Sequence, residues 1–477
     1  MKVEQDGETG FMSTSEFDKY KVDHLFLLVG ENPLPNYVAA KTLLAEGGKP
    51  YLVFTEYTQK PAERLQEALG LSDQEMWSLD NNESNAAEIK KKIWKIVKEI
   101  QKKPDHANKQ RFGLNYTGGT KAMAVHAYQA LLQPRLEEPQ LRLEEPQYKL
   151  NPEPIFSYLD SRNLKMLIDQ PTNPDPLDIP KEDLDFSLEK LFKLHGFNLS
   201  KPPKTKVTFS ELVKAIVKHK YEWRNWCYKL LRLEARQKIE LGEFTNANNE
   251  IEKFFELSDW KNATELRQLA LPLQELPQEI TNILQQHKLC DENGYLSIQN
   301  LEHASLIPKP SKAKDKNKYP KEICKWLEGV WLEDYVLQNL KDIQEQEQKE
   351  IDEKIKKDEE RLIDEVGMSF NFPENDDIGH FEFDVAFLRG YQLFALSCTT
   401  DTEPGLCKLK LFEAYRRARQ MGGDEARVAL VCCYDKPEKI KKGFMSQIKD
   451  DKVNVFGLND LADLSEKLKT WIQGVDK

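Results

Sequence analysis

The run His24–Val29, HLFLLV, carries no polar side chain after its first residue. A strand with one wet face alternates apolar and polar positions, so a strand this uniform has to be covered on both faces. Pro50–Thr55 (PYLVFT) repeats the pattern, and Phe112–Asn115 is a shorter case. Helical stretches lie between and after them. These are Tyr37–Glu46, expected to stop at Gly47-Gly48, then Lys60–Leu69, Ala86–Lys102 and Ala122–Leu132. Glu153–Asp160 and Leu164–Ile168 close the region as strands. Strands alternating with helices predict an α/β class with a parallel, doubly wound sheet.

At 477 residues the chain is too long for one ordinary core, and two or three domains are expected. Residues 1–20 form a polar tail with no apolar signal core, and the sheet domain spans 21–169. The proline-rich Gln170–Pro180 opens a connector, 170–307, that reads as helical from Glu182 to about Leu289. Within it Leu276–Asn300 suggests a winged-helix-like piece, two helices and then a wing turn at Asp291–Gly294. Residues 308–320 are a lysine-rich linker, and 321–477 form the last domain. RLEEPQ occurs at Arg135–Gln140 and again at Arg142–Gln147, and reads as an expanded surface loop.

Composition narrows the function classes. No run of about 20 apolar residues exists, so no membrane span is expected. The seven cysteines are scattered, without CxxC or HExxH, which predicts reduced thiols in a cytoplasmic protein and no structural zinc. A net charge of −11 argues against a protein that coats nucleic acid along its length. Any such contact is expected to be local, metal-mediated or brief.

The strand Phe112–Asn115 runs into Tyr116-Thr117-Gly118-Gly119-Thr120-Lys121 and then a helix. Two glycines let backbone N–H groups approach a ligand, and a helix N-terminus adds positive potential. The threonine hydroxyls and the lysine ammonium add donors. This is neither G-x-x-x-x-G-K-[ST] nor G-x-G-x-x-G, and a tight turn with a helix cap explains it equally on spacing alone. The loop Gly30-Glu31-Asn32-Pro33-Leu34-Pro35-Asn36 is expected at the same carboxyl edge of the sheet, where open α/β sheets bind ligands.

Together LLVGENPLPNYVAA, LNYTGGTKAMAVHA and the closing FSYLDSRNLKMLI resemble the CRISPR-associated Rossmann-fold (CARF) sensor family over about 145 residues. The resemblance implies a Rossmann-like domain that forms a homodimer and holds a cyclic oligoadenylate in its two-fold cleft, most often the tetramer. It further implies that Gly30, Asn32, Pro33, Asn36, Thr117, Gly118, Gly119, Thr120 and Lys121 line that cleft. A symmetric dimer offers a symmetric ring the same donors twice.

In the last domain the order helix, three antiparallel strands, helix, strand outlines a restriction-endonuclease-like core. Glu382-Phe383-Asp384-Val385 opens a strand with Glu382 and Asp384 on one face. After the turn at Arg389–Tyr391 the paired strand reads Leu393–Thr400. With Trp331-Leu332-Glu333 upstream, this resembles the nuclease domain of CARF-linked CRISPR ancillary nucleases. The resemblance implies Mg²⁺ or Mn²⁺ on Glu333 and Asp384, with Glu382 beside them. Ser397 stands where that family has its second metal carboxylate, and Thr399 where it has its lysine. Three readings stay open. Asp401, Glu403, Lys408 or Lys410 restores the site from beyond the strand, with Lys408 taken as the candidate. Alternatively, RNA is cut by its own 2′-OH with less need of metal, or the domain is silent.

The basic–aromatic stretch Tyr221, Trp223, Trp226, Tyr228 fits a single-strand surface, although an amphipathic core helix explains it more simply. Arg416, Arg417 and Arg419 could grip phosphates or lie on a solvated helix face. The function implied is a cyclic-oligoadenylate-activated effector of type III CRISPR antiviral defence that cuts RNA or DNA. The alternatives are a catalytically silent sensor with a nucleic-acid or protein partner, and, less favoured for its acidic charge, a winged-helix regulator.

Overall fold

The structure is a computed structural model that describes residues 16–102, 110–132, 150–161, 163–170, 174–245, 251–305, 318–357, 360–373 and 381–474. The polar tail before residue 16, the RLEEPQ duplication and linker residues 308–317 lie outside them. The chain divides into two compact units, the first reaching Asn198 and including 390–392 and 419–425, the second holding the remainder from Leu199.

In the first unit β1 (Val22–Leu28), α1 (Leu34–Leu43), β2 (Leu44–Phe54), α2 (Gln59–Leu69), β3 (Met76–Ser78), α3 (Ala86–Gln101), β4 (Phe112–Asn115) and α4 (Lys121–Leu132) follow in order. β5 (Ile155–Asp160), β6 (Lys165–Asp169), β7 (Leu177–Asp178), α5 (Lys181–Leu184) and α6 (Leu188–Leu194) complete it. The seven-stranded sheet has the order β3-β2-β1-β4-β5-β6-β7. β1 through β5 are parallel, β6 is antiparallel to β5, and β7 is antiparallel to β6. Leu25 to Leu28 are fully buried, as the uniform apolar run requires. On one face Ile89, Ile93, Ile96 and Ile100 recur at helical spacing along α3 and pack with Phe26, Val53 and Leu114.

Three expectations change. The helix after β1 ends at Leu43, and Gly47-Gly48 lie inside β2. There the register against β1 shifts, Gly47 takes φ +73°, and a Cβ at Gly48 would fall 2.9 Å from the Ala45 carbonyl. The glycine pair serves a bulge rather than a helix stop. The short edge strand β3 carries too few residues to show a pattern. The unit also extends beyond Asp169, because β7 pairs with β6 and the Arg64 guanidinium on α2 donates to the His195 carbonyl (3.1 Å) after α6.

The second unit begins with helices α7 (Ser210–Lys218), α8 (Lys220–Trp226) and α9 (Arg232–Ala235), the last two joined by a π-helical turn at Cys227–Leu231. β8 (Arg236–Thr245) and β9 (Ile251–Trp260) then form an antiparallel hairpin within the stretch expected to be helical. Its alternating Ile239 and Leu241 are exposed, so no buried stripe marked it. α10 (Ala263–Arg267), β10 (Ala270–Leu271), α11 (Gln278–Gln286), β11 (Leu296–Ser297) and α12 (Ile298–Ala304) follow. β10 pairs with β11, and the turn at Asp291–Gly294 closes between α11 and β11. One helix, not two, precedes that turn within Leu276–Asn300.

α13 (Tyr319–Lys325) and α14 (Trp331–Asp352) are separated by a second π-helical turn, Trp326–Val330. The core sheet has the order β12 (Glu365–Phe372), β13 (Phe381–Arg389), β14 (Gln392–Thr399), β15 (Arg427–Cys432) and β16 (Val453–Phe456). β12 and β13 are antiparallel, whereas β14, β15 and β16 run parallel. α15 (Pro404–Gly422) links β14 to β15, α16 (Pro437–Met445) links β15 to β16, and α17 (Leu464–Gln473) ends the chain. The charged stretch after Lys341 continues α14 to Asp352, where buried Glu347 accepts the Leu362 backbone N–H (3.0 Å).

Candidate functional sites

β1 and β4 are neighbours, with Leu27 opposite Asn115, so the loops leaving their carboxyl ends emerge side by side. This is the point where the strand order reverses, and a crevice forms there in doubly wound sheets. Two glycines let the loops meet. A Cβ at Gly118 would lie 2.2 Å from the Leu28 carbonyl oxygen, and one at Gly30 would lie 3.1 Å from the Gly119 nitrogen. Gly119 itself sits at φ +72°, left-handed backbone that favours glycine.

Hydrogen bonds show which of the expected lining residues hold the loops. The Asn36 amide donates to the Leu28 carbonyl (3.0 Å) and is fully buried. Asn32 Oδ1 accepts from the Leu34 backbone N–H (3.0 Å), and Pro33, also buried, leads into α1. His195 Nε2 lies 3.2 Å from the same Asn32 oxygen, and burial holds that imidazole down at about 4. Thr117 Oγ1 accepts from the Leu159 backbone N–H (2.6 Å). The Thr120 hydroxyl donates to the Glu83 carbonyl (3.0 Å) and accepts from the Met123 backbone N–H (3.2 Å), so it caps α4. Lys121, the first residue of α4, is exposed and forms no hydrogen bond or ion pair with the described residues. The corner thus presents glycine backbone, a helix start and one uncommitted ammonium. Asn115 went unnoticed in the sequence. It is fully buried, its oxygen accepts from the Thr117 N–H (3.3 Å) and its amide donates to Ser157 Oγ (3.1 Å). A buried amide at a strand's last position before two glycines was the available signal.

In the second unit the π-turn at Trp326–Val330 delivers Glu333 at the start of α14. Such turns shift the face a helix presents and recur at functional sites. Asp384 stands on β13, where its Oδ2 accepts from the Cys398 backbone N–H (2.6 Å) and the Ser397 hydroxyl (3.0 Å). Glu333 is pushed well above the ordinary carboxyl range, first by burial and then by the charges of Asp384 and Glu382. Burial raises Asp384 to about 6, against the Cys398 N–H, the Lys410 charge and the Ser397 hydroxyl, which favour its ionised form. An acid raised by a neighbouring acid's charge disfavours both being ionised together unless a cation joins them.

The remaining expected residues divide. Ser397 supports Asp384. Glu382 is exposed, and its carboxylate accepts from the Asn371 amide (3.0 Å). Thr399 Oγ1 accepts from the Asp401 backbone N–H (3.2 Å). Glu403 caps α15 by accepting the Leu406 N–H (2.6 Å). Lys408 is not brought to the acids; its ammonium lies over the Phe412 ring, 5.7 Å from the centroid, on the side of α15 that meets α16. The lysine whose charge acts on Asp384 is Lys410, two residues on and therefore on another face of the helix. Lys204 supplies a second positive charge, acting on Glu333. It is held by paired backbone bonds to Met368 on β12 (2.9 and 2.8 Å), and nothing in PPKTK marked it in advance. Arg417 stacks on Phe381, 4.4 Å to the ring centroid, and Arg419 pairs with Asp424 at 2.9 Å. Among the described residues no group of three or more His, Cys, Asp or Glu side chains is arranged to hold a metal ion.

Comparison with known proteins places the first unit in a class. Residues 25–134 match the family described as the Card1 CARF domain, so the N-terminal unit carries a CARF domain on a Rossmann-like sheet. The full fold is similar to Can2 from Sulfobacillus thermosulfidooxidans, solved in complex with cyclic tetra-adenylate. That likeness has a TM-score of 0.59 at 15% identity, covering 94% of this chain and 99% of that one. It is also similar to protein VC1899 from Vibrio cholerae, with a TM-score of 0.62 at 14% identity over 95% of this chain and 98% of that one. No curated protein matches the sequence. Among the described residues no helix is long and apolar enough to cross a membrane.

Proposed function

We propose that this chain is an effector of type III CRISPR defence that senses a cyclic oligoadenylate through its CARF domain and cuts nucleic acid in its second unit. The observation that carries the reading is the corner where Gly30 and Gly118 bring two loops together at the strand-order reversal, inside the segment that matches a CARF domain. The likeness to a protein solved with cyclic tetra-adenylate supports that ring as the ligand. A homodimer would set two such corners around it, each giving glycine N–H groups, the start of α4 and Lys121 to the phosphates.

The acid pair fits a hard divalent cation. Mg²⁺ and Mn²⁺ keep several waters and take one or two carboxylates together with substrate phosphate, so a cage of three protein carboxylates is not required. Glu333 and Asp384 would hold the ion, which when bound supplies charge stabilisation and an activated water. The chain's own groups do the rest. Ser397 and the Cys398 N–H fix the Asp384 carboxylate through its Oδ2. Lys410 and Lys204 lower the cost of gathering negative charge there, and so favour the pentavalent phosphorus over the substrate.

The test is incubation of the full chain with labelled RNA and supercoiled DNA, with and without cyclic tetra-adenylate and Mn²⁺. Activator-dependent cutting, lost in Asp384→Ala, supports the reading. Tight binding of the ring with no cutting in Mn²⁺ would assign the chain as a silent sensor instead.

A further inference from the structure

The aromatic stretch from Tyr221 to Tyr228, which runs into the first π-turn, is used twice. Trp223 and Trp226 are fully buried, and the Trp223 indole donates to the Leu327 carbonyl (3.2 Å), which also accepts from the Cys227 thiol (3.4 Å). These bonds tie the π-turn at Cys227–Leu231 to the one at Trp326–Val330, directly ahead of Glu333. Tyr221 and Tyr228 do the opposite and stand 55% and 68% exposed. Tyr221 on α8 and Tyr228 in the π-turn that follows it line one cleft.

Between them and the end of β14 lies an open cleft of about 540 Å³, lined by Tyr221, Arg224, Tyr228, Arg232, Glu328 and Thr400 among others. A cation lies over each ring. The Lys220 ammonium sits 5.5 Å from the Tyr221 centroid and the Arg232 guanidinium 6.0 Å from that of Tyr228. The charge of Glu328 is spent on Arg232 (2.5 Å) and Arg236 (2.8 Å). Arg224, half-buried, has no hydrogen bond or ion pair among the described residues, which leaves Asp401 as the one unneutralised acid in the lining. The lining thus sets Arg224 and Arg232 against Glu328 and Asp401, with two exposed rings beside a guanidinium that has no acidic partner among the described residues. The cleft reaches Thr400, three residues beyond the Ser397 that bonds Asp384, or about 10 Å at the rise of a strand.

We propose that this cleft is the substrate track, in which a single strand of nucleic acid stacks bases on Tyr221 and Tyr228 and sets phosphates against Arg224 and Arg232, one or two nucleotides from the acid pair. Stacking on exposed rings within a basic groove is the chemistry of single-strand recognition, and duplex bases have no free faces to offer. The assignment rests on the reading of Glu333 and Asp384 as a phosphodiester site, but its test needs no cleavage.

Fluorescence anisotropy of the full chain in EDTA, at 50 mM salt and with cyclic tetra-adenylate present, measures binding of fluorescein-labelled 20-mers of U, of dT and of a DNA duplex. Either single strand is expected to bind more tightly than the duplex; a preference for U or for dT names the substrate. Y221A/Y228A weakens single-strand binding roughly 10- to 100-fold, and Y221F/Y228F restores it. R224A weakens it and lowers the salt slope by about one. Both tyrosines are exposed, so unchanged melting and unchanged ring binding separate these effects from misfolding. Equal binding by wild type and Y221A/Y228A, equal affinity for duplex, or no binding by wild type overturns the proposal. Lost cutting with single-strand binding intact counts only against the nuclease reading.

Discussion

The two candidate sites are built from opposite materials. At the CARF corner the working surface is backbone: glycines, a helix start and one lysine, with nearly every other polar side chain committed to holding the loops. At the acid pair the working surface is side chains, and they arrive from separate elements: Glu333 from α14, Asp384 from β13, Lys410 from α15 and Lys204 from a strap against β12. A backbone site tolerates no added atom but asks little of side-chain identity. A side-chain site depends instead on charges brought together from separate elements.

That contrast can be broken by mutation. The largest effect is expected at Asp384. Asp384→Asn should cut activator-dependent cleavage by about 10³-fold, the size of losing one central electrostatic group. It should also raise stability. An acid held to about 6 in the fold, against an unfolded value near 3.9, destabilises the fold as pH rises through that window. The variant should therefore gain up to about 3 kcal/mol at pH 8 and almost nothing at pH 4, read by denaturant unfolding. A variant destabilised at pH 8 would contradict the strained pair.

Next comes the backbone site. Gly118→Ala places a methyl 2.2 Å from the Leu28 carbonyl and should cost about 3 kcal/mol of first-unit stability, together with ring binding. A variant that melts with wild type would show that the loops do not meet as described. Smaller, and sharper as a comparison, is the lysine pair. Lys410→Ala should lower cleavage about 100-fold and Lys408→Ala by less than threefold, because only the former's charge reaches Asp384. Equal losses in single-turnover rates would refute that difference.

The same division explains what could be read in advance. The uniform apolar runs gave β1 and the Phe112–Asn115 strand, because burial on both faces leaves no other pattern. TGGTK stood out because it is a backbone motif, contiguous in sequence. The supporting charges did not, since Lys204 and Lys410 reach the acids only through folding. The π-turn ahead of Glu333 has no sequence mark. Gly47-Gly48 misled because a glycine pair serves a helix end and a strand bulge alike. The β8–β9 hairpin hid because its alternation faces solvent on both sides.

The most direct test is isothermal titration of the purified chain with cyclic tetra-adenylate. One ring per two chains, with affinity falling at least tenfold in Lys121→Ala, is the expected result. No heat of binding, or an affinity indifferent to Lys121, would contradict the account at its root.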